Sequence, residues 1–116
     1  MNRNYSIEEK IINPNRNLVV LSGRITAANA GEIKTHIRGL LDKGYKELVF
    51  DLSGITFLDS SGLAVFVSAM KSTQEAGGWL KLAGLSEIPG EIFRLTCLDQ
   101  VIDMYPSVES ALHSAD

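Results

Sequence analysis

Runs of apolar residues with the character of strands alternate along this chain with runs that carry the period of a helix. Lys46-Glu47-Leu48-Val49-Phe50-Asp51-Leu52 has the composition of a buried strand, and Ile55 and Phe57 extend its apolar content past a Ser53-Gly54 bend. Directly afterwards Leu63, Phe66, Val67 and Met70 fall at i, i+3, i+4 and i+7, which predicts a helix over 61–76 with that stripe as its buried face. The change of period predicts a strand-to-helix junction at Asp59-Ser60-Ser61.

The same reading extends in both directions. A strand over 6–12, the turn residues Asn13-Pro14-Asn15-Arg16 and a strand over 18–22 read as an edge hairpin. Ile33, Ile37, Leu40 and Leu41 give a helix over 27–41, capped by Thr26 or a neighbour and ended by Gly44. Residues 79–83 form a strand with Leu80 and Leu82 on one face, leaving Trp79 either outward as an interface anchor or packed in the core of a two-sided sheet. Ser86 and Pro89 open a helix in which Ile88, Ile92 and Leu95 share a face; a strand over 100–104 and a helix over 107–113 complete the chain. Strands alternating with helices behind a hairpin predict an α/β layer packing on a mixed sheet.

Composition narrows the function classes. At 116 residues the chain is one domain, and with 45% hydrophobic residues it can bury a core without metals or disulfides. A net charge of −3 and no stripe of Lys and Arg disfavour nucleic acid and anionic membranes as partners. The single cysteine, Cys97, fits a reducing compartment and reads as a small buried side chain at the end of an apolar helical segment. No apolar run approaches the ~18 residues of a membrane span and no charged-then-apolar leader opens the chain, so a soluble cytoplasmic protein is expected.

Catalytic chemistry is thin. His36 and His113 sit on separate predicted helices as solvated residues, no Gly-x-Ser-x-Gly elbow surrounds Ser60, and no Walker-type loop is present. No catalytic residue, metal ligand or cofactor is assigned. Asp51, at the end of a buried strand, is where a response-regulator receiver would carry its phosphoacceptor. The early strand lacks the acidic pair and the 79–83 strand lacks the following lysine that hold Mg²⁺ and phosphoryl group there, so Asp51 reads as a polar strand-end residue.

The junction itself supports two readings. Asp59 and Ser60 are ordinary N-cap residues. A helix start also has free N–H groups and a positive dipole end, so Ser60 is suited to carry a phosphate, and Gly62 leaves the backbone open to close approach by a partner.

With Leu48-Val49-Phe50-Asp51-Leu52, Phe57-Leu58-Asp59-Ser60-Ser61-Gly62-Leu63 and a helix ending at Gly77-Gly78, the chain resembles the STAS family, specifically stand-alone bacterial anti-sigma factor antagonists. The resemblance implies a single STAS-like α/β domain over 1–116, with a mixed four- to five-stranded sheet, about four helices mainly on one face, and flexible ends at 1–5 and 114–116. It implies phosphorylation at Ser60 by an anti-sigma factor serine kinase that supplies the ATP, reversal by a serine phosphatase, and a monomer or weak dimer. The implied docking surface comprises Arg24, Thr26, Asn29, Asp59, Ser61, Gly62 and Leu63. Many such proteins have Gly-Glu-Leu-Asp where this chain has Gly23-Arg24-Ile25-Thr26, so Thr26 removes a carboxylate from the kinase-facing surface and Arg24 adds a positive charge. Arg24 then either attracts phosphoserine or an acidic patch on a partner, or is an exposed arginine without a role. Two further readings stand behind the switch: a constitutive STAS adaptor in a signalling or lipid-transport assembly with Ser60 as a cap only, and, behind that, an enzyme.

Overall fold

The computed structural model describes residues 4–115; of the ends expected to be flexible, 1–5 and 114–116, residues 1–3 and 116 lie outside the described residues, and Tyr5 is a buried residue of the first strand. The element order is β1 (Tyr5–Asn13), β2 (Arg16–Ile25), α1 (Ala30–Asp42), β3 (Glu47–Leu58), α2 (Ser60–Glu75), β4 (Trp79–Ala83), α3 (Glu87–Leu95), a 3-10 turn over Leu98–Gln100, β5 (Asp103–Tyr105) and α4 (Val108–His113). The strands lie in the order β1-β2-β3-β4-β5. β1 runs antiparallel to β2 as the hairpin predicts, and the remaining pairs are parallel, each joined through a helix.

The main core lies between the sheet and α1, α2 and α3. Val19, Leu21, Leu48, Phe50, Leu52 and Leu82 meet Ile33, Ile37, Val65, Phe66 and Phe93 there. Phe50, Phe66 and Phe93 form a row, the first pair edge to face and the second tilted, with centroid separations of 5.8 and 5.9 Å, tying β3 to α2 and α3; such pairs add about 0.5–1.5 kcal/mol each beyond area burial. On the opposite face α4 covers a smaller cluster of Val49, Ala83 and Ala111, with Trp79 packed against it. Trp79 is therefore half-buried under α4, its ring within 5.3 Å of the Arg16 guanidinium and 4.9 Å of the Lys81 ammonium. The same Lys81 donates to the Tyr105 hydroxyl at 3.1 Å. Side-chain hydrogen bonds with Ser114 and with Lys81 hold the Tyr105 phenol below its ordinary pKa.

Four elements depart from their sequence expectations. β3 continues through the Ser53-Gly54 bend, because irregularities opposite Val20–Ser22 and Gly23–Arg24 absorb the extra residues and restore pairing of Ile25 with Leu58. Gly54 is needed for this, since a Cβ there would lie 2.6 Å from the Ser22 Cβ. α1 starts at Ala30 and not at 27, because Thr26, Ala27, Ala28 and Asn29 form a separate turn in which the Thr26 carbonyl accepts from Asn29 and Ala30 N–H. α3 buries Pro89, Gly90 and Phe93, so its expected apolar face points outward, with Ile88 73% and Leu95 77% exposed. Cys97 is exposed, because the chain turns there with φ of 61° to enter the 3-10 turn. That turn uses the N–H groups of Val101 and Ile102 on the Leu98 carbonyl, which shortens the last strand to β5.

Candidate functional site

The parallel strands β2 and β3 finish side by side, with Ile25 paired to Leu58, and the strand-to-helix junction at Ser60 lies just beyond them; β4 ends earlier, where Ala83 pairs with Asp51. Asp59 is the N-cap of α2. Its Oδ1 accepts from the Gly62 N–H at 3.0 Å, and its Oδ2 accepts from the Ala27 N–H at 3.2 Å. One carboxylate thus ties the first turn of α2 to the loop after β2. The Asp59 N–H in turn donates to the Ile25 carbonyl at 3.3 Å.

Gly62 faces the same place from within the helix. A Cβ at Gly62 would lie 2.8 Å from the Ile25 carbonyl oxygen and 2.9 Å from the Leu58 Cδ2. The close approach that this glycine permits is intramolecular, with the end of β2, and it is buried.

Ser60 occupies the first helical position and is exposed. Because Asp59 caps the helix, Ser60 does not, and among the described residues nothing is hydrogen-bonded to its hydroxyl. Ser61 and Leu63 are half-buried beside it. Along the outer side of α2, Ser60, Leu63, Ala64, Val67 and Lys71 share one face of the helix that is open to solvent.

The loop before α1 is held by Asn29, which is buried and not presented outward. Its Oδ1 accepts from the Thr26 N–H at 3.0 Å and its Nδ2 donates to the Arg24 carbonyl at 2.8 Å. Thr26 is half-buried and its hydroxyl accepts from the Ala28 N–H at 3.2 Å, closing the turn without capping α1. Arg24 is exposed, with its guanidinium carbon 4.3 Å from the centroid of the Phe57 ring. Arg24, Thr26, Asn29, Asp59, Ser60, Ser61, Gly62 and Leu63 are thus gathered at one end of the sheet, Asn29 and Gly62 as supports behind the surface.

The other titratable groups lie apart from this edge or serve local structure. Asp51 Oδ1 accepts from the Ser53 N–H at 3.1 Å and the Ser53 hydroxyl at 2.8 Å, fastening the β3 bend. His36 Nδ1 lies 3.2 Å from Glu9 Oε2 at the surface. Among the described residues no group of three or more His, Cys, Asp or Glu side chains is arranged to hold a metal ion, and no helix is long and apolar enough to cross a membrane.

Comparison with known proteins decides the family. A family profile described as the STAS domain matches residues 9–111. The chain belongs to the STAS family. This STAS domain is 31% identical over 112 residues to an anti-sigma-B factor antagonist of Bacillus subtilis, covering 97% of this chain and 99% of that protein. It superimposes on an anti-sigma factor antagonist from Mycobacterium paratuberculosis with a TM-score of 0.84 at 23% identity, covering 95% of this chain and 92% of the other. The Bacillus cell fate determinant SpoIIAA, solved in its phosphorylated form, has the same fold with a TM-score of 0.75 at 16% identity, over 96% of this chain and 100% of that one. The mixed five-stranded sheet and its helices are those of the STAS fold.

Sequence reasoning missed some parts of this edge of the STAS domain. Ala27 contributes through its backbone N–H, Ile25 through its carbonyl and Phe57 through its ring under Arg24. Backbone contributions leave no trace in residue type. The Arg24 to Phe57 pairing was in principle readable, had the β2–β3 register been known.

Proposed function

We propose that this STAS domain is an anti-sigma factor antagonist whose docking on an anti-sigma serine kinase is set by phosphorylation of Ser60. The observation that carries this reading is the division of labour at the start of α2: Asp59 does the capping, and the neighbouring serine is left exposed with an unengaged hydroxyl. A serine needed only as a cap would be bonded to the helix it starts. The domain acts by binding, in the cytoplasm, and the ATP is held by the kinase.

With Ser60 bare, Arg24 at the end of β2, the outer surface of the 26–29 loop and the α2 face of Leu63 and Val67 form the docking face, and the kinase releases its sigma factor. Phosphate adds roughly −1.5 to −2 charges beside Asp59. The α2 N-terminus accommodates that charge within the domain, so the fold is kept. The burden falls on the interface, where a doubly charged group must be desolvated next to an existing carboxylate. A serine phosphatase resets the switch.

The test is incubation of the protein with ATP and its candidate serine kinase, followed by peptide mass spectrometry, with Ser60→Ala as control. Phosphate on Ser60 that disappears in the control supports the switch. Ser60→Asp is expected to lose kinase binding while unfolding at an unchanged temperature, and full binding by that variant argues for a constitutive adaptor instead.

A further inference from the structure

The end of β2, next to the loop before α1, presents a cation at the surface. Arg24 is exposed, and among the described residues no carboxylate pairs with it. Its backbone is nonetheless fixed. The Arg24 N–H donates to the Asn4 carbonyl at 2.8 Å, and its own carbonyl accepts from the Asn29 amide at 2.8 Å. Its guanidinium carbon sits 4.3 Å from the centroid of Phe57, the residue facing it across the β2–β3 pairing. Phe57 stays 39% exposed, a large ring kept at the surface beneath a charge and just before the Asp59-Ser60 junction.

A guanidinium held over a ring has lost much of its freedom while its in-plane N–H donors remain available. Ordering an arginine side chain at an interface is one of the costs of binding, and here it is met before the partner arrives. A fixed, unpaired fork of donors matches a carboxylate in two-pronged geometry.

We infer that Arg24 on Phe57 is the specificity-determining contact of the docking face and receives a carboxylate of the anti-sigma partner; this rests on the antagonist reading above. The choice of partner is thereby tuned on β2, apart from Ser60. A partner bearing a basic residue at the matching place is rejected by like charge, and one bearing an acid is drawn in and oriented.

The experiment is calorimetric titration of the full-length protein, unphosphorylated, against the kinase that modifies Ser60, at low and at high salt. Arg24→Glu is expected to weaken binding roughly 30-fold or more at low salt, and Arg24→Lys, which keeps the charge without the fork, about 5-fold. The loss for Arg24→Glu should shrink as salt rises. Binding by Arg24→Glu within twofold of the parent overturns the inference and leaves the antagonist reading standing, as does a loss that is equal at both salt concentrations. Failure of the parent itself to bind the kinase overturns the antagonist reading and this inference with it. Thermal unfolding of each variant, unchanged from the parent, keeps the affinities interpretable.

Discussion

α2 and α3 both offer apolar residues at helical spacing, yet they place them in opposite ways. On α2 the buried positions are Gly62, Val65, Phe66, Ala69 and Thr73, while Leu63, Val67 and Met70 are only half-covered. On α3 the buried positions are Pro89, Gly90 and Phe93, and the larger aliphatic residues Ile88 and Leu95 face out. In both helices small residues share the inner face with one aromatic. The difference lies in what remains outside: a half-buried apolar face beside a serine on α2, and an unsheltered aliphatic stripe on α3. Which residues are buried is decided by how closely a helix backbone approaches the sheet, and size alone does not decide it.

The comparison can be broken most directly at Phe93. Phe93→Ala is expected to cost about 3–5 kcal/mol in urea unfolding, since it removes the end of the Phe50–Phe66–Phe93 row and with it the anchor of α3. A cost below about 1 kcal/mol would show that α3 is held by other contacts. Next in size is a pair of cap replacements. Asp59→Ala should cost about 1–2 kcal/mol, because its carboxylate bonds both Gly62 and Ala27. Ser86→Ala should cost under about 0.5 kcal/mol, because Ser86 stands at the N-cap of α3 without a side-chain cap bond. Equal costs in the same urea titration would erase this distinction between the helices. The smallest effect is expected where hydrophobicity is greatest: Ile88→Ser and Leu95→Ser should each move stability by no more than about 0.5 kcal/mol. A loss above about 2 kcal/mol for either would mean that the stripe is covered in solution.

Much of the architecture could be read from the change of hydrophobic period. The 79–83 strand matches β4, and the junction at 59–61 is within a residue of the start of α2. Those elements are bounded by local signals: a Gly-Gly pair, a strand run and an Asp-Ser start. The outward stripe of α3 was not legible, because a period shows that a helix has an apolar face without saying which neighbour receives it. The start of α1 was misplaced for a related reason. Asn29 looks like part of a helix or its docking face, whereas its amide is spent on the Thr26 N–H and the Arg24 carbonyl, bonds set by the turn itself. Gly62 likewise reads as open backbone until Ile25, remote in sequence, is seen against it. Asn29 and Gly62 were thus visible in the sequence as residues but not as supports, and the backbone groups of Ile25 and Ala27 were not visible at all.

Trp79, the single tryptophan, has an optical consequence. It pairs with Glu47 at the beginning of β3, whereas Ser60 follows Leu58 at that strand's end. β2 spans the same stretch from Arg16, opposite Glu47, to Ile25, opposite Leu58, so at about 3.3 Å per residue the two ends lie roughly 30 Å apart along the sheet. The Trp79 emission, shaped by Arg16, Lys81 and the α4 contact, should therefore follow unfolding and stay indifferent to what happens at the serine. The molecule carries a built-in fluorescent gauge of its integrity, remote from Ser60.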